Sequence, residues 1–245
     1  MELKDATLLI VDDEPYYIEI ARDWFEREGC RVLSAQNGLE ALPLLEKNKI
    51  NAMITDIRMP RMDGVELVKH LKARGIYTPT AVALTGFSDL STRDAYQLGI
   101  ESQLSKPVSR KVLVAAVKKA LTDRKELWSL PFQSGKRPKL TANFDSLGAA
   151  LQNQLIAFGR GGFCLRSETI FPDDSGIEFH LAFKADGQEL MGQGIVRWAA
   201  ELEQIVGIEI ERVQESGRAW LLLRTGENPT LSFIPRSPNP DGQVK

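Results

Sequence analysis

Two acidic strand exits and two later polar ones could together do chemistry in this 245-residue chain. Asp56 ends the apolar run Ala52-Met53-Ile54 and precedes a turn carrying Pro60, Asp63 and Gly64. Asp12, Asp13 and Glu14 follow Leu8-Leu9-Ile10-Val11 in the same way. Open α/β sheets bind ligands outside the carboxyl ends of their strands, so these acids belong at a ligand site. Ionised carboxylates about 5 Å apart repel by roughly 3 kcal/mol at an effective dielectric of about 20, so the cluster needs a cation or a proton. An all-oxygen set with few ligands suits Mg2+, which keeps several waters and room for a phosphate oxygen. Ala81-Val82-Ala83-Leu84 delivers the hydroxyl of Thr85, and Gln103-Leu104-Ser105 delivers the ammonium of Lys106. A metal-bound carboxylate, a hydroxyl and a lysine are the parts needed to form and stabilise an aspartyl phosphate. Each has a plainer role open to it: Asp12 or Asp13 can cap a helix starting near Pro15, Asp56 can serve a turn, and Lys106 can be a solvated charge.

Five strands must position these groups. Tyr17, Ile18, Ala21, Trp24 and Phe25 recur at helical spacing before Glu28-Gly29 ends the helix, and Arg31–Ala35 reads as the second strand. Residues 38–48 read as a second helix, which Pro43 should kink or delay. Val65, Leu67, Val68 and Leu71 mark a helix closed by Gly75, Ser91–Leu98 a short one, and Ser102–Ser105 the fifth strand. A last helix runs from about Ser109 to Trp128, its polar end forming a connector. Strands alternating with helices imply an α/β doubly wound, five-stranded parallel sheet of flavodoxin-like type.

The chain is 43% hydrophobic and 26% charged, with a formal net charge of −2, an ordinary balance that gives no attraction to nucleic acid or anionic membrane. Cys30 and Cys164 show neither metal-ligand spacing nor a disulfide framework, which fits a cytoplasmic chain. No run approaches a membrane span, and His70 and His180 stand alone.

Taken together, the acids, Thr85 and Lys106 resemble the receiver domain of two-component response regulators over residues 1–128. The resemblance implies a phosphoacceptor at Asp56, Mg2+ held by Asp12, Asp13, Asp56 and the backbone carbonyl of Arg58, and phosphoryl contacts from Thr85 and Lys106. It implies a sensor histidine kinase as partner, dimerisation through the receiver, and no enzyme activity beyond autophosphatase turnover. Two positions depart from the pattern. Gln103 stands where the family usually has a switching aromatic residue, and Val108 where it often has a larger ring. Readout then falls to Thr85 and the loop containing Phe87, or to self-association.

Beyond Pro131, Gly135 and Pro138 the pattern changes. Ile177, Phe179, Leu181 and Phe183 alternate with polar neighbours, as do Val206, Ile208 and Ile210, and further strands fall at Lys139–Asp145, Leu151–Phe158, Phe163–Ser167 and Leu190–Trp198. With a terminal helix at Gly217–Leu223, six strands suggest an all-β antiparallel barrel over residues 129–227. Gly159-Arg160-Gly161-Gly162-Phe163-Cys164-Leu165, Gly194-Ile195-Val196-Arg197-Trp198 and Val206-Gly207-Ile208-Glu209-Ile210 resemble a PilZ domain, a family known for binding cyclic di-GMP. The ligand-binding pattern is broken. An RxxxR pair is replaced by Lys136-Arg137-Pro138-Lys139-Leu140, and of DxSxxG only the last glycine remains, at Gly162. From Ser129 onwards 12 basic residues face 14 acidic ones, so a dianionic ligand meets no general attraction. Arg137 and Arg160 are the weak candidates for such a ligand.

These readings make the chain a response regulator with a PilZ-like output domain that works through an unknown protein partner. The alternative is a cyclic di-GMP effector that also senses phosphorylation. No catalytic constellation and no helix-turn-helix pattern for DNA follow residue 128. Residues 228–245, with Pro229, Pro235, Pro238 and Pro240, read as a disordered tail, Leu231–Ile234 being the one candidate docking peptide in it.

Overall fold

The structure, a computed structural model, describes residues 1–74, 79–86, 90–133, 135–225 and 232–238. Packing divides the chain into two compact units. One comprises Met1–Ser91 and Leu98–Thr122, the other Thr92–Gln97 and the described residues from Asp123 onwards.

In the first unit, strands β1 (Thr7–Val11), β2 (Arg31–Ala35), β3 (Ala52–Asp56), β4 (Thr80–Thr85) and β5 (Ile100–Ser105) form one parallel sheet in the order β2-β1-β3-β4-β5. All five residues of β3 are buried, as expected of a strand covered on both faces. Helices α1 (Pro15–Glu26), α2 (Gly38–Lys47), α3 (Gly64–Ala73) and α5 (Arg110–Leu121) follow the strands, and α4 (Thr92–Gln97) between β4 and β5 packs with the second unit. Leu8, Ile10, Phe25, Ile54, Val82, Leu84, Leu113 and Val117 share one apolar core. Helix α2 starts on time, capped by Asn37 accepting from Glu40 N–H, and runs through Pro43 to Lys47. The cap and the buried faces of Ala41 and Leu45 outweigh the one donor that Pro43 lacks. Gly75 and Phe87 lie outside the described residues.

The single long helix expected over 109–128 is two. Thr122 is extended (φ −75°, ψ 133°), and Asp123 caps a new helix, α6 (Arg124–Trp128), by accepting from Lys125 N–H at 2.7 Å. The reason is the burial of Trp128, which is fully enclosed in the second unit's core and donates its indole N–H to Ile210 O at 3.2 Å. The division thus falls after Thr122 rather than after Trp128.

In the second unit, β6 (Lys139–Phe144), β7 (Ile156–Phe158), β8 (Gly162–Arg166), β9 (Gly176–Phe183), β10 (Gln188–Ala200) and β11 (Ile205–Val213) make a sheet in the order β6-β9-β10-β11-β8-β7. Six strands are present, but the antiparallel barrel is not. β6 runs parallel to β9, the sheet is mixed, and among the described residues no pairing joins its end strands β6 and β7. Ser146 caps a helix, α7 (Leu147–Gln152), by accepting from Ala149 N–H, and this crossover uses residues expected to open the Leu151–Phe158 strand. Along β9 buried and half-buried residues alternate as the pattern demands. Helix α8 (Glu215–Thr225) follows β11, its Leu221 fully buried in this core. In the tail expected to be disordered, residues 232–238 are packed, with Phe233 and Ile234 buried. Among the described residues no helix is long and apolar enough to cross a membrane.

Candidate functional site

Parallel pairing of β1, β3, β4 and β5 brings their carboxyl ends, and the acids there, to one edge of the sheet. Asp12, Asp13 and Asp56 each present a carboxylate oxygen within 4.8 Å of the others. Asp12 is fully buried, Asp56 and Thr85 are nearly so, and Asp13 is exposed. Lys106 Nζ sits between the two buried acids, 2.8 Å from Asp12 Oδ2 and 2.7 Å from Asp56 Oδ2, with Glu14 Oε1 at 3.3 Å.

Backbone contacts fix this edge. Lys106 N–H donates to Thr85 O at 2.7 Å and Ile57 N–H to Leu84 O at 3.0 Å, tying three exits together. Arg58 N–H points at Asp56 Oδ1 (3.3 Å), and Glu14 N–H at Asp12 Oδ1 (3.0 Å). Asp12 does not cap α1, whose N-cap residue is Glu14 and which has no side-chain cap; its Oδ1 accepts from Glu14 N–H just before the helix, while its other oxygen meets Lys106. Gly64 is required by close approach: a Cβ there would lie 2.1 Å from Asp56 O. The turn then enters α3 through a capping box between Asp63 and Glu66.

Burial pushes the Asp12 carboxyl up from its ordinary range, against the lowering effect of its hydrogen bonds with Lys106 and Glu14 N–H. For Lys106 burial opposes the charge, but bonding to Asp12 and Asp56 wins, and the ammonium is held above the usual lysine range. Tyr17 covers the group, its ring centroid 4.8 Å from Lys106 Nζ, and burial raises its phenol to about 12. A cleft lined by Glu14, Asp56, Ile57, Arg58, Thr85, Gly86 and Lys106 opens onto these atoms. The donor set is hard and all-oxygen, the chemistry a magnesium ion takes, and an anionic group in the cleft would meet Lys106.

The arrangement holds Asp12, Asp13, Asp56, Arg58, Thr85 and Lys106 together, as their strand exits promised. Residue patterns gave no sign of two further contacts. Glu14 joins Lys106, and Gln103 Nε2 donates to Leu90 O at 2.8 Å, so the residue in place of the aromatic ring anchors Leu90, just before α4. In the second unit, two arginine side chains are held by acids, and the backbone of a third is engaged. Arg137 pairs with Glu211 at 2.8 Å and contacts Gln133 Oε1, and Arg160 N–H donates to Ser232 O at 2.8 Å. Arg197 pairs with the buried Glu209 and with Asp174, both at 2.7 Å.

The family described as the response regulator receiver domain matches residues 8–118. Those residues are a receiver domain. Response regulator SaeR of Staphylococcus aureus is 34% identical over 134 residues, which cover 55% of this chain and 58% of SaeR. The chain thus spans less than two thirds of the length of the curated relatives it matches. Among solved structures, a response regulator receiver domain protein from Clostridium thermocellum is 29% identical over 47% of this chain and 94% of its own (TM-score 0.43). Chemotaxis response regulator CheY4 of Vibrio cholerae is 27% identical over 47% and 98% (TM-score 0.44). Receiver domains bind Mg2+ at an acidic cluster, and here that cluster is Asp12, Asp13 and Asp56.

Proposed function

We propose that a sensor histidine kinase phosphorylates Asp56 and that the second unit carries the output to a protein partner. The observation that carries this reading is Lys106 Nζ bridging Asp12 and Asp56 beside Asp13, at the mouth of a cleft that also reaches Thr85. An Asp56 oxygen attacks the phosphorus of a phosphohistidine; the new O–P bond forms as the P–N bond breaks, and the imidazole leaves with the electron pair and takes a proton. Lys106 meets the negative charge on the phosphoryl oxygens, and the Thr85 hydroxyl supplies a neutral donor. Asp12, Asp13, Asp56 and the Arg58 carbonyl would hold Mg2+, which when bound supplies positive charge to carboxylates and phosphoryl oxygens alike. The aspartyl phosphate carries about −2 where the ionised carboxylate carried −1, and this added charge of about −1 beside buried acids biases the elements after β4 and β5.

For the second unit we retain a PilZ-like module specialised for protein contacts. Its six strands and glycine-rich turn support the likeness, and the engagement of Arg137 by Glu211 and of Arg197 by Glu209 leaves those guanidinium groups committed to acids rather than to a nucleotide. Incubating the full chain with a small phosphoryl donor and Mg2+ tests the first half: intact mass should show one phosphoryl group, absent in Asp56→Asn. Calorimetric titration with cyclic di-GMP, with and without beryllium fluoride, tests the second. No heat is expected, and micromolar binding would replace the protein-output reading with the nucleotide-effector one.

A further inference from the structure

The segment 232–238 is accepted by the second unit much as an extended peptide is accepted by a partner. The turn between β7 and β8 donates Arg160 N–H to Ser232 O at 2.8 Å and Gly161 N–H to Phe233 O at 2.9 Å, and Phe233 N–H donates in turn to Tyr96 O of α4 at 2.8 Å. Phe233 is 1% exposed, its ring 5.4 Å from that of Tyr96 and 5.0 Å from the Arg124 guanidinium. Arg236 continues the grip, its side chain 3.1 Å from Asp94, its N–H 2.7 Å from Gln97 Oε1 and its carbonyl 2.9 Å from Arg93 Nε. Arg93 also clasps both carboxylate oxygens of Glu203, at 2.9 and 2.6 Å. The turn is shaped for this occupant. A Cβ at Gly161 would lie 2.0 Å from the Phe233 ring, its three nearest atoms all in that ring, and one at Gly159 would lie 2.6 Å from the Ser232 and Phe233 carbonyls.

Helix α4 lies in sequence between Thr85 and Lys106, two groups of the acid site. We infer that residues 232–236 are a latch on α4 and that phosphorylation of Asp56 opens it, a regulation that rests on the reading of Asp56 above. Asp56 now takes Lys106 directly, and Lys106 N–H holds Thr85 O. A phosphoryl group would claim the ammonium for its own oxygens and offer the Thr85 hydroxyl an acceptor, shifting the end of β4 from which the chain leads into α4. The latch contacts bias α4 from the other side. Coupling between two such biases is reciprocal: what opens the latch is itself bound more tightly once the latch is gone.

Hydrogen exchange on the full chain, with and without Mg2+ and beryllium fluoride, reads both sites at once. The Gly161, Phe233 and Arg236 amides should exchange faster by roughly five- to a hundredfold on addition, and not at all faster in Asp56→Asn. Gly161→Ala, which drives out the ring, and Phe233→Ala, which removes it, should each tighten beryllium fluoride binding by a comparable factor, and the double variant should add nothing to either. If the Arg58 and Lys106 amides respond while the 232–236 amides do not, the latch is overturned and the phosphoacceptor reading stands. If neither set responds, both fall. Additive effects of the two substitutions would also overturn the latch, because Gly161 would then act through something other than Phe233.

Discussion

A lysine held between two buried carboxylates explains why the acid site is stable as a site. Lys106 meets Asp12 and Asp56 within 2.8 Å, so its single charge offsets part of a repulsion that would otherwise expel one of them. The balance is incomplete at Asp12, whose fully buried carboxyl is pushed up chiefly by desolvation. Its ionised form therefore costs folding stability at neutral pH, a cost the site accepts in order to hold a cation. Asp12→Asn should raise the melting temperature of the chain in chelator by a few degrees and abolish the upward shift that millimolar Mg2+ gives the wild type. Melting curves at pH 7, with and without the metal, check this; a variant less stable in chelator and still metal-responsive would show that Asp12 serves only its bonds to Glu14 N–H and Lys106.

Among the elements, those built by local pattern were legible in the sequence and those decided by distant partners were not. The exits of β1, β3 and β4 follow from apolar runs that lead to Asp12, Asp56 and Thr85, because a parallel sheet sends every such run in one direction; β5, mostly polar, was marked by its place before Lys106. The break at Thr122 was hidden because residues 109–128 keep helical composition throughout. Only the burial of Trp128 against Ile210 shows why the chain must turn. The parallel pairing of β6 with β9 was equally invisible, since strand alternation is the same in either direction, and the deciding feature is the α7 crossover. Phe233 stood out only as part of a candidate docking peptide in a tail read as disordered, because its pocket is made by Gly161 and Tyr96, far away in sequence. Pro43 shows the opposite error, where a strong local rule yields to packing. It sits exposed inside α2, and Pro43→Ala should restore the missing donor and stabilise the fold by about 1–3 kcal/mol, less the greater freedom gained by the unfolded chain. Urea denaturation measures it, and an unchanged midpoint would mean that the helix has already absorbed the defect.

At the scale of the whole molecule, the second unit is discontinuous in sequence, completing itself with α4. That gives it an electrostatic signature which neither stretch alone predicts. The Arg93 guanidinium, by hydrogen bonding first and charge second, holds the Glu203 carboxyl below its ordinary value of 4.5, with Arg236 and Arg166 adding to the pull. A carboxyl depressed in the fold binds protons less readily there than in the unfolded chain, so its contribution is complete above about pH 4.5 and is lost as pH falls through the lower, folded value. Because the Glu203 side chain is 52% exposed, solvent screening keeps that contribution below about 1 kcal/mol. Glu203→Gln should therefore melt slightly below the wild type by a constant margin from pH 5 to 7, and the margin should close as the solution is acidified. In an Arg93→Gln background the same substitution should have little effect at any pH, since the first and largest cause of the shift is gone. A margin that widens on acidification, or survives without Arg93, would mean that Glu203 is held by something other than the helix borrowed from between β4 and β5.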